Sequence, residues 1–163
     1  MMTVILTLLM IADISIVILI ATACLPARMV MKTMPQDLKE KTKNHLDPPG
    51  WKKLIGIIVL IGGIVLYLWI VFYAGYDGIK QGWGFWKIFV RYMIILYGFK
   101  LFDIVCLDWW LITKTHFFQH FFPETEGSEG YHSFGFNKKE QLKRIILFPF
   151  ICAILAGMWV WVG

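Results

Sequence analysis

The sequence predicts an all-α integral membrane protein, a bundle of four transmembrane helices with both termini outside. Three observations lead there. Of 163 residues, 58% are hydrophobic, where a water-soluble domain carries roughly 45–50%. Four apolar runs, at about residues 4–25, 54–73, 85–113 and 144–162, are each long enough to cross ~30 Å of hydrocarbon at ~1.5 Å per residue. Basic residues crowd two connections: Arg28, Lys32, Lys39, Lys41, Lys43, Lys52 and Lys53 in one, and Lys114, Lys138, Lys139, Lys143 and Arg144 in the other. By the positive-inside rule, loops 26–53 and 114–143 are cytoplasmic, and the host is the plasma (inner) membrane. The longest polar stretches are too short for a separate soluble domain, so residues 1–163 read as a single membrane domain.

Span one ends at Pro26. Ala21-Thr22-Ala23-Cys24 faintly resembles a lipoprotein cleavage site, but no positive residue precedes the run and Asp13 interrupts it, so the segment is expected to stay as a span. In the loop that follows, Pro35 to Lys41 predicts a short helix with an Asp37–Lys41 pair at i,i+4. Asp47-Pro48-Pro49-Gly50 breaks it, and Trp51-Lys52-Lys53 anchors the inner interface. Span two is uncharged, and Gly56 and Gly62-Gly63 would permit close helix approach. The outer loop, Ala74 to Phe85, contains Gly75, Gly78, Gly82 and Gly84 and reads as turns.

Span three is longer than the hydrocarbon needs, so tilt or protrusion is expected. Trp86 marks its outer end and Trp109-Trp110 its inner end. Span four is announced by Asn137-Lys138-Lys139-Glu140, close to a capping box. The three cysteines, Cys24, Cys106 and Cys152, lie in apolar runs with no CxxC pair, and are expected to be free thiols.

Ionisable residues inside spans are candidate functional sites. Asp13 lies ~14 Å below Val4 and Lys100 ~15 Å below Val90, at 1.5 Å per residue. These similar depths predict an Asp13–Lys100 layer. Three readings of it stand: structural pairing, a polar path, or a protonated Asp13 facing a neighbouring subunit. Arg91, nearer the outer interface, is expected to snorkel.

Residues 103–132 are the richest stretch for chemistry, with Asp103, Asp108, His116, His120, Glu124, Glu126, Glu129 and His132. If the helix continues past Thr113, His116 and His120 share a face at i,i+4, a spacing that lets two imidazoles hold one metal. Glu124 or Glu126 would then fold back as a further ligand, with His132 as another. A divalent metal is the cofactor such a set would take, with Asp103 and Asp108 as acid/base groups. The competing reading is an interfacial segment, Phe117-Phe118 and Phe121-Phe122 among headgroups and the histidines in water. Histidine as proton carrier or haem ligand is a further alternative.

No Walker loop, GxSxG or dinucleotide-binding glycine signature is present, and the Asp103–Asp108 spacing does not match membrane prenyl or CDP-alcohol transferases. Basic loops flanking spans serve topology and anionic headgroups rather than nucleic acid. Three functions follow from the sequence: a polar ligand or metal site at the cytoplasmic mouth of the bundle, enzymatic or not, acting on a small or lipid-like substrate; a structural subunit of a membrane complex; or an oligomeric transporter using Asp13, Lys100 and Asp103. The expected partners are the lipid bilayer and either further copies of the chain or a membrane subunit.

Overall fold

The computed structural model of the chain describes residues 1–132 and 138–162. Seven α-helices appear among them: α1 Met2–Cys24, α2 Ala27–Val30, α3 Gln36–Lys41, α4 Gly50–Lys80, α5 Phe85–Phe102, α6 Phe117–Phe121 and α7 Lys138–Val162. A π-helix, Asp103–Leu111, continues α5 without a break, and short 3-10 turns occupy Met31–Thr33, Pro123–Thr125 and Glu129–His132. No strand occurs among the described residues.

Three helices are long and apolar enough to cross a membrane: α1 with 23 residues, α4 with 31 and α7 with 25. At ~1.5 Å per residue they run about 35, 46 and 37 Å. Their surfaces agree with that reading. Leu54, Ile57, Ile58, Ile61, Ile64, Val65 and Leu68 of α4 are all exposed, as expected of a helix whose solvent is lipid. The chain is therefore helical and reads as a membrane protein. Helix α5 carries Lys87, Arg91 and Lys100 within 18 residues and lies outside this set of three.

The chain divides into two compact units. The first combines Met1–Ile14, Ile64–Phe102 and Lys139–Gly163. Its core gathers Leu6 and Met10 of α1, Ile70 and Ala74 of α4, Ile88, Tyr92, Ile95 and Leu96 of α5, and Cys152 and Ala156 of α7. Two glycines explain how tightly it packs. A Cβ on Gly75 would fall inside the Trp159 indole, and one on Gly78 would sit 2.9 Å from Ile88 Cγ1. These glycines were expected to make turns. They instead lie in α4, which runs to Lys80, because the close packing they allow stabilises helix through residues 74–80. The turn is confined to residues 81–84, where Gly82 adopts φ 69°, a conformation open to glycine.

Arg91 is also placed differently from expectation. It is 2% exposed. Its Nη1 donates to Asp77 Oδ2 at 2.7 Å and to the Ala74 carbonyl at 2.9 Å, and its guanidinium lies 4.0 Å from the Trp83 ring centroid. Asp77 exists as a partner only because α4 extends past the expected end of span two. With the acid in reach, an inward ion pair replaces snorkelling.

Helix α7 contains Pro149. Proline has no N–H, so the Ile145 carbonyl four residues earlier loses its helical donor. Tyr97 of α5 supplies the replacement, its hydroxyl donating to Ile145 O at 2.7 Å. Its ring packs edge-on against Phe148, the centroids 5.8 Å apart.

The second unit combines Ser15–Gly63 and Asp103–Lys138. Its core is formed by Ala27, Met31, Met34, Leu38, Ile112, Phe118, Phe122 and Tyr131. Gly56 lets α4 close on the end of α1, since a Cβ there would stand 2.7 Å from Leu25 Cδ2. Cys24, Cys106 and Cys152 are free thiols. Asn137, the expected cap of α7, lies outside the described residues.

Tyr97→Phe keeps the ring and removes the hydroxyl. Left without a donor, the Ile145 carbonyl should cost about 1–3 kcal/mol. Thermal unfolding in detergent micelles should show that loss in the wild-type background and little of it in Pro149→Ala, where the helix restores its own donor. Equal losses in both backgrounds would mean that the hydroxyl serves another purpose.

Candidate functional site

The second unit is where the sequence placed its site, and the structure rearranges the residues. The expected continuous helix does not pass Thr113. A turn at Lys114 and Thr115 interrupts it, and α6 restarts at Phe117 with His116 at its cap. His116 and His120 remain one turn apart, with the His120 N–H on the His116 carbonyl at 3.0 Å, and both side chains are exposed. The metal set of His116, His120, Glu124 and Glu126 is not assembled. Among the described residues no group of three or more His, Cys, Asp or Glu is placed to hold a metal ion. The cause is local: Pro123 starts a 3-10 turn that carries Glu124 to His45, Nδ1 to Oε1 2.7 Å, and Glu126 stays exposed.

The competing interfacial reading is corrected for two of its four phenylalanines, while both histidines are exposed as it expects. Phe118 and Phe122 are buried in the core of this unit, with Phe117 and Phe121 packed partly against it. Phe118 and Phe122 therefore build protein core, while Phe117 and Phe121 keep part of their surface outside it.

Two tethers join the segments around residues 26–53 and 114–132. His45 pairs with Glu124 and meets Phe122 edge-on, centroids 4.9 Å apart. Asp37 accepts the Gly130 N–H at 2.8 Å, a role that replaces the expected surface pair with Lys41. Nearby, Thr125 donates to the Phe122 carbonyl at 2.6 Å, which leaves the Tyr131 hydroxyl as donor to Thr125 Oγ1 at 2.7 Å.

These tethers stand beside a cavity of about 600 Å³ lined by Ala27, Arg28, Met31, Lys32, Lys39, Thr42, Lys43, His45 and Asp47. Four fixed positive charges, Arg28, Lys32, Lys39 and Lys43, face it with one carboxylate, Asp47. That carboxylate is already held by Lys53, Nζ to Oδ2 2.8 Å. The Lys53 hydrogen bond holds the Asp47 carboxyl below its usual range, and Arg28 and His45 add to the effect. Buried Met31 and Ala27 give the cavity an apolar side, and Thr42 is fixed by its bond to the Leu38 carbonyl at 2.8 Å. A half-open concave surface of this sign and size, within the ~300–1,000 Å³ of small-ligand sites, can take up an anion bearing several oxygens.

Nothing in the spacing of these basic residues marks them as a site, because lysines near a span end ordinarily serve topology and anionic headgroups. One clue was present: α2 and α3 are short helices separated by few residues, so their basic side chains had to share a small surface.

Asp103 and Asp108 lie in the π-helix, both partly buried. In an α-helix, residues five apart stand roughly 140° apart at 100° per residue. The i→i+5 ladder of a π-helix instead stacks such residues on one side. The conformation thus brings the two carboxylates to a common face. Asp13 is partly buried and Lys100 is 2% exposed, both within the first unit.

Comparison of the chain with family models, characterised proteins and solved structures finds no match. The class that fold and composition define is a helical membrane protein, and its function rests on the site itself.

Burial pushes the Tyr131 phenol above its ordinary value. Its contribution to stability is therefore complete below the unfolded phenol pKa of ~10 and is lost as pH rises through the folded value. Tyr131→Phe should cost about 1 kcal/mol and flatten that alkaline loss, as read from urea unfolding between neutral and strongly alkaline pH. An unchanged alkaline limb would assign the loss to other phenols.

Proposed function

We propose that this is a small polytopic membrane protein whose second unit binds an anionic, phosphate-bearing ligand, foremost the headgroup of an acidic lipid. The observation that carries the reading is the cavity of about 600 Å³ with Arg28, Lys32, Lys39, Lys43 and His45 in its lining. Basic side chains at a membrane surface each contribute about 1 kcal/mol toward anionic lipids. The apolar side supplied by Met31 and Ala27 suits the glycerol and first methylenes of a lipid better than a free ion.

The reading takes residues 85–113 as a fourth span, with both termini outside and loops 26–53 and 114–143 in the cytoplasm. The concentration of Lys and Arg in those loops supports that orientation. It places the pocket against the inner leaflet of the plasma membrane, where anionic lipids provide the complementary charge. Asp103 and Asp108, on one face of the π-helix, are the groups of the same unit suited to acid/base work on a bound lipid.

A second reading, transport through an intramembrane layer of Asp13 and Lys100, draws on the burial of Lys100, 2% exposed in an apolar unit. It expects proton flux in liposomes that Lys100→Met alters, and tight liposomes would end it.

For the principal reading, titration calorimetry in micelles separates the ligand sources. Short-chain phosphatidylglycerol should bind saturably, while glycerol phosphate and inorganic phosphate bind weakly. Arg28→Gln/Lys43→Gln should weaken lipid binding roughly 25-fold, from about 1 kcal/mol per charge. Tight binding of free phosphate would reassign the pocket to a soluble ligand. Equal affinity of wild type and variant, or equal binding of phosphatidylcholine, would end the proposal.

A further inference from the structure

A second cavity, of about 380 Å³, lies in the first unit against one face of α5 and the approach to it. Trp83, Trp86, Lys87, Val90 and Ile94 line it. Trp86, Lys87, Val90 and Ile94, spaced by three and four residues, form one stripe of α5, and Trp83 adjoins it from the preceding turn. Thr3, at the start of α1, closes the opposite wall.

The charge of this groove is one-sided. Its lining includes Lys87 and Arg91 and no acid. Arg91 is compensated by Asp77 behind it and stacked on Trp83, so it is a fixed part of the wall. Its Nε is nevertheless buried without a hydrogen-bond partner, so the guanidinium holds more donors than the structure engages. Lys87, by contrast, is exposed. It sits two residues inside the start of α5, where a lysine stem lies along apolar surface and its ammonium reaches the headgroup layer. Trp86, 73% exposed, and the half-buried Trp83 flank it with the amphipathic rings typical of that layer. Val90 and Ile94, each 49% exposed, continue the groove away from that polar end. Ile94 stands about 10 Å further along the helix at 1.5 Å per residue. The groove thus grades from cationic to apolar along its length, as an anionic lipid does from head to tail.

We propose that this groove is a binding site for one acidic phospholipid, separate from the basic cavity of the second unit. The phosphate lies on Lys87 between Trp83 and Trp86, and an acyl chain follows Val90 and Ile94. The inference needs the chain to lie in a membrane but does not need the basic cavity to bind anything.

The test is photo-crosslinking in nanodiscs with phosphatidylglycerol carrying a diazirine in its acyl chain, followed by peptide mapping. The full chain should be labelled within residues 83–94, with phosphatidylcholine bearing the same diazirine labelling that segment several-fold less. Lys87→Gln should lower the preference for the anionic probe about fivefold, the equivalent of ~1 kcal/mol per basic residue near anionic lipid. Val90→Trp, a change at an exposed position that fills the groove, should block the labelling. Arg28→Gln/Lys43→Gln should leave it intact, so failure of the basic cavity and failure of this groove read out separately. Equal labelling by both lipids, or a Lys87→Gln variant with unchanged preference, would overturn the assignment and leave the groove as ordinary lipid-facing surface.

Discussion

Polar groups inside an apolar helical unit are driven to find partners within the protein, because hydrocarbon offers none; in the first unit Arg91 Nε is an exception. Much of the first unit can be understood as answers to that demand. Threonine hydroxyls turn back on their own helix, as Thr7 does on the Thr3 carbonyl at 2.9 Å. Tyr92 donates to the Val71 carbonyl at 2.9 Å. Arg91 reaches both an acid and a carbonyl on α4. The carbonyl freed by Pro149 is served from α5 rather than by solvent. The last three of these link two helices, so the requirement that removes unpaired groups also fixes which helix faces which.

The second unit is built on a different balance. Its core contains Phe118, Phe122 and Tyr131 with residues of α2 and α3, and its segments are held by Asp37 on Gly130 and His45 on Glu124. Nothing in that core requires the lysines around it. Arg28, Lys32, Lys39 and Lys43 stand around one cavity, a placement that topology alone accounts for in number but that also suits the proposed anion site.

The apolar runs were legible because length and composition determine them directly: α1, α4 and α7 lie where hydrophobicity placed them, and α3 formed from Gln36 to Lys41 as its pattern indicated. The errors have a common origin. Glycine was read as a turn signal at Gly75 and Gly78, whereas its missing side chain was being used to admit Trp159 and Ile88. The ligand set of His116, His120, Glu124 and Glu126 was drawn from neighbours along the chain, but Glu124 found its partner 79 positions away. Snorkelling is expected of Arg91 from its nearness to the outer interface, but α4 runs on to Lys80 and brings Asp77 within its reach. Local spacing reveals elements, and it does not reveal which distant residue will reach them first.

The pairing of Tyr97 with Pro149 also constrains how the two positions can vary. A tyrosine hydroxyl near a normal helix costs little, because the carbonyl it approaches already has a donor. A proline in mid-helix without that hydroxyl leaves an unsatisfied acceptor in an apolar setting. With both present, removing the tyrosine alone exposes the acceptor that the proline leaves, whereas removing the proline alone restores the helical donor. Positions 97 and 149 are thus coupled: the proline can be replaced without the tyrosine, but not the tyrosine without the proline.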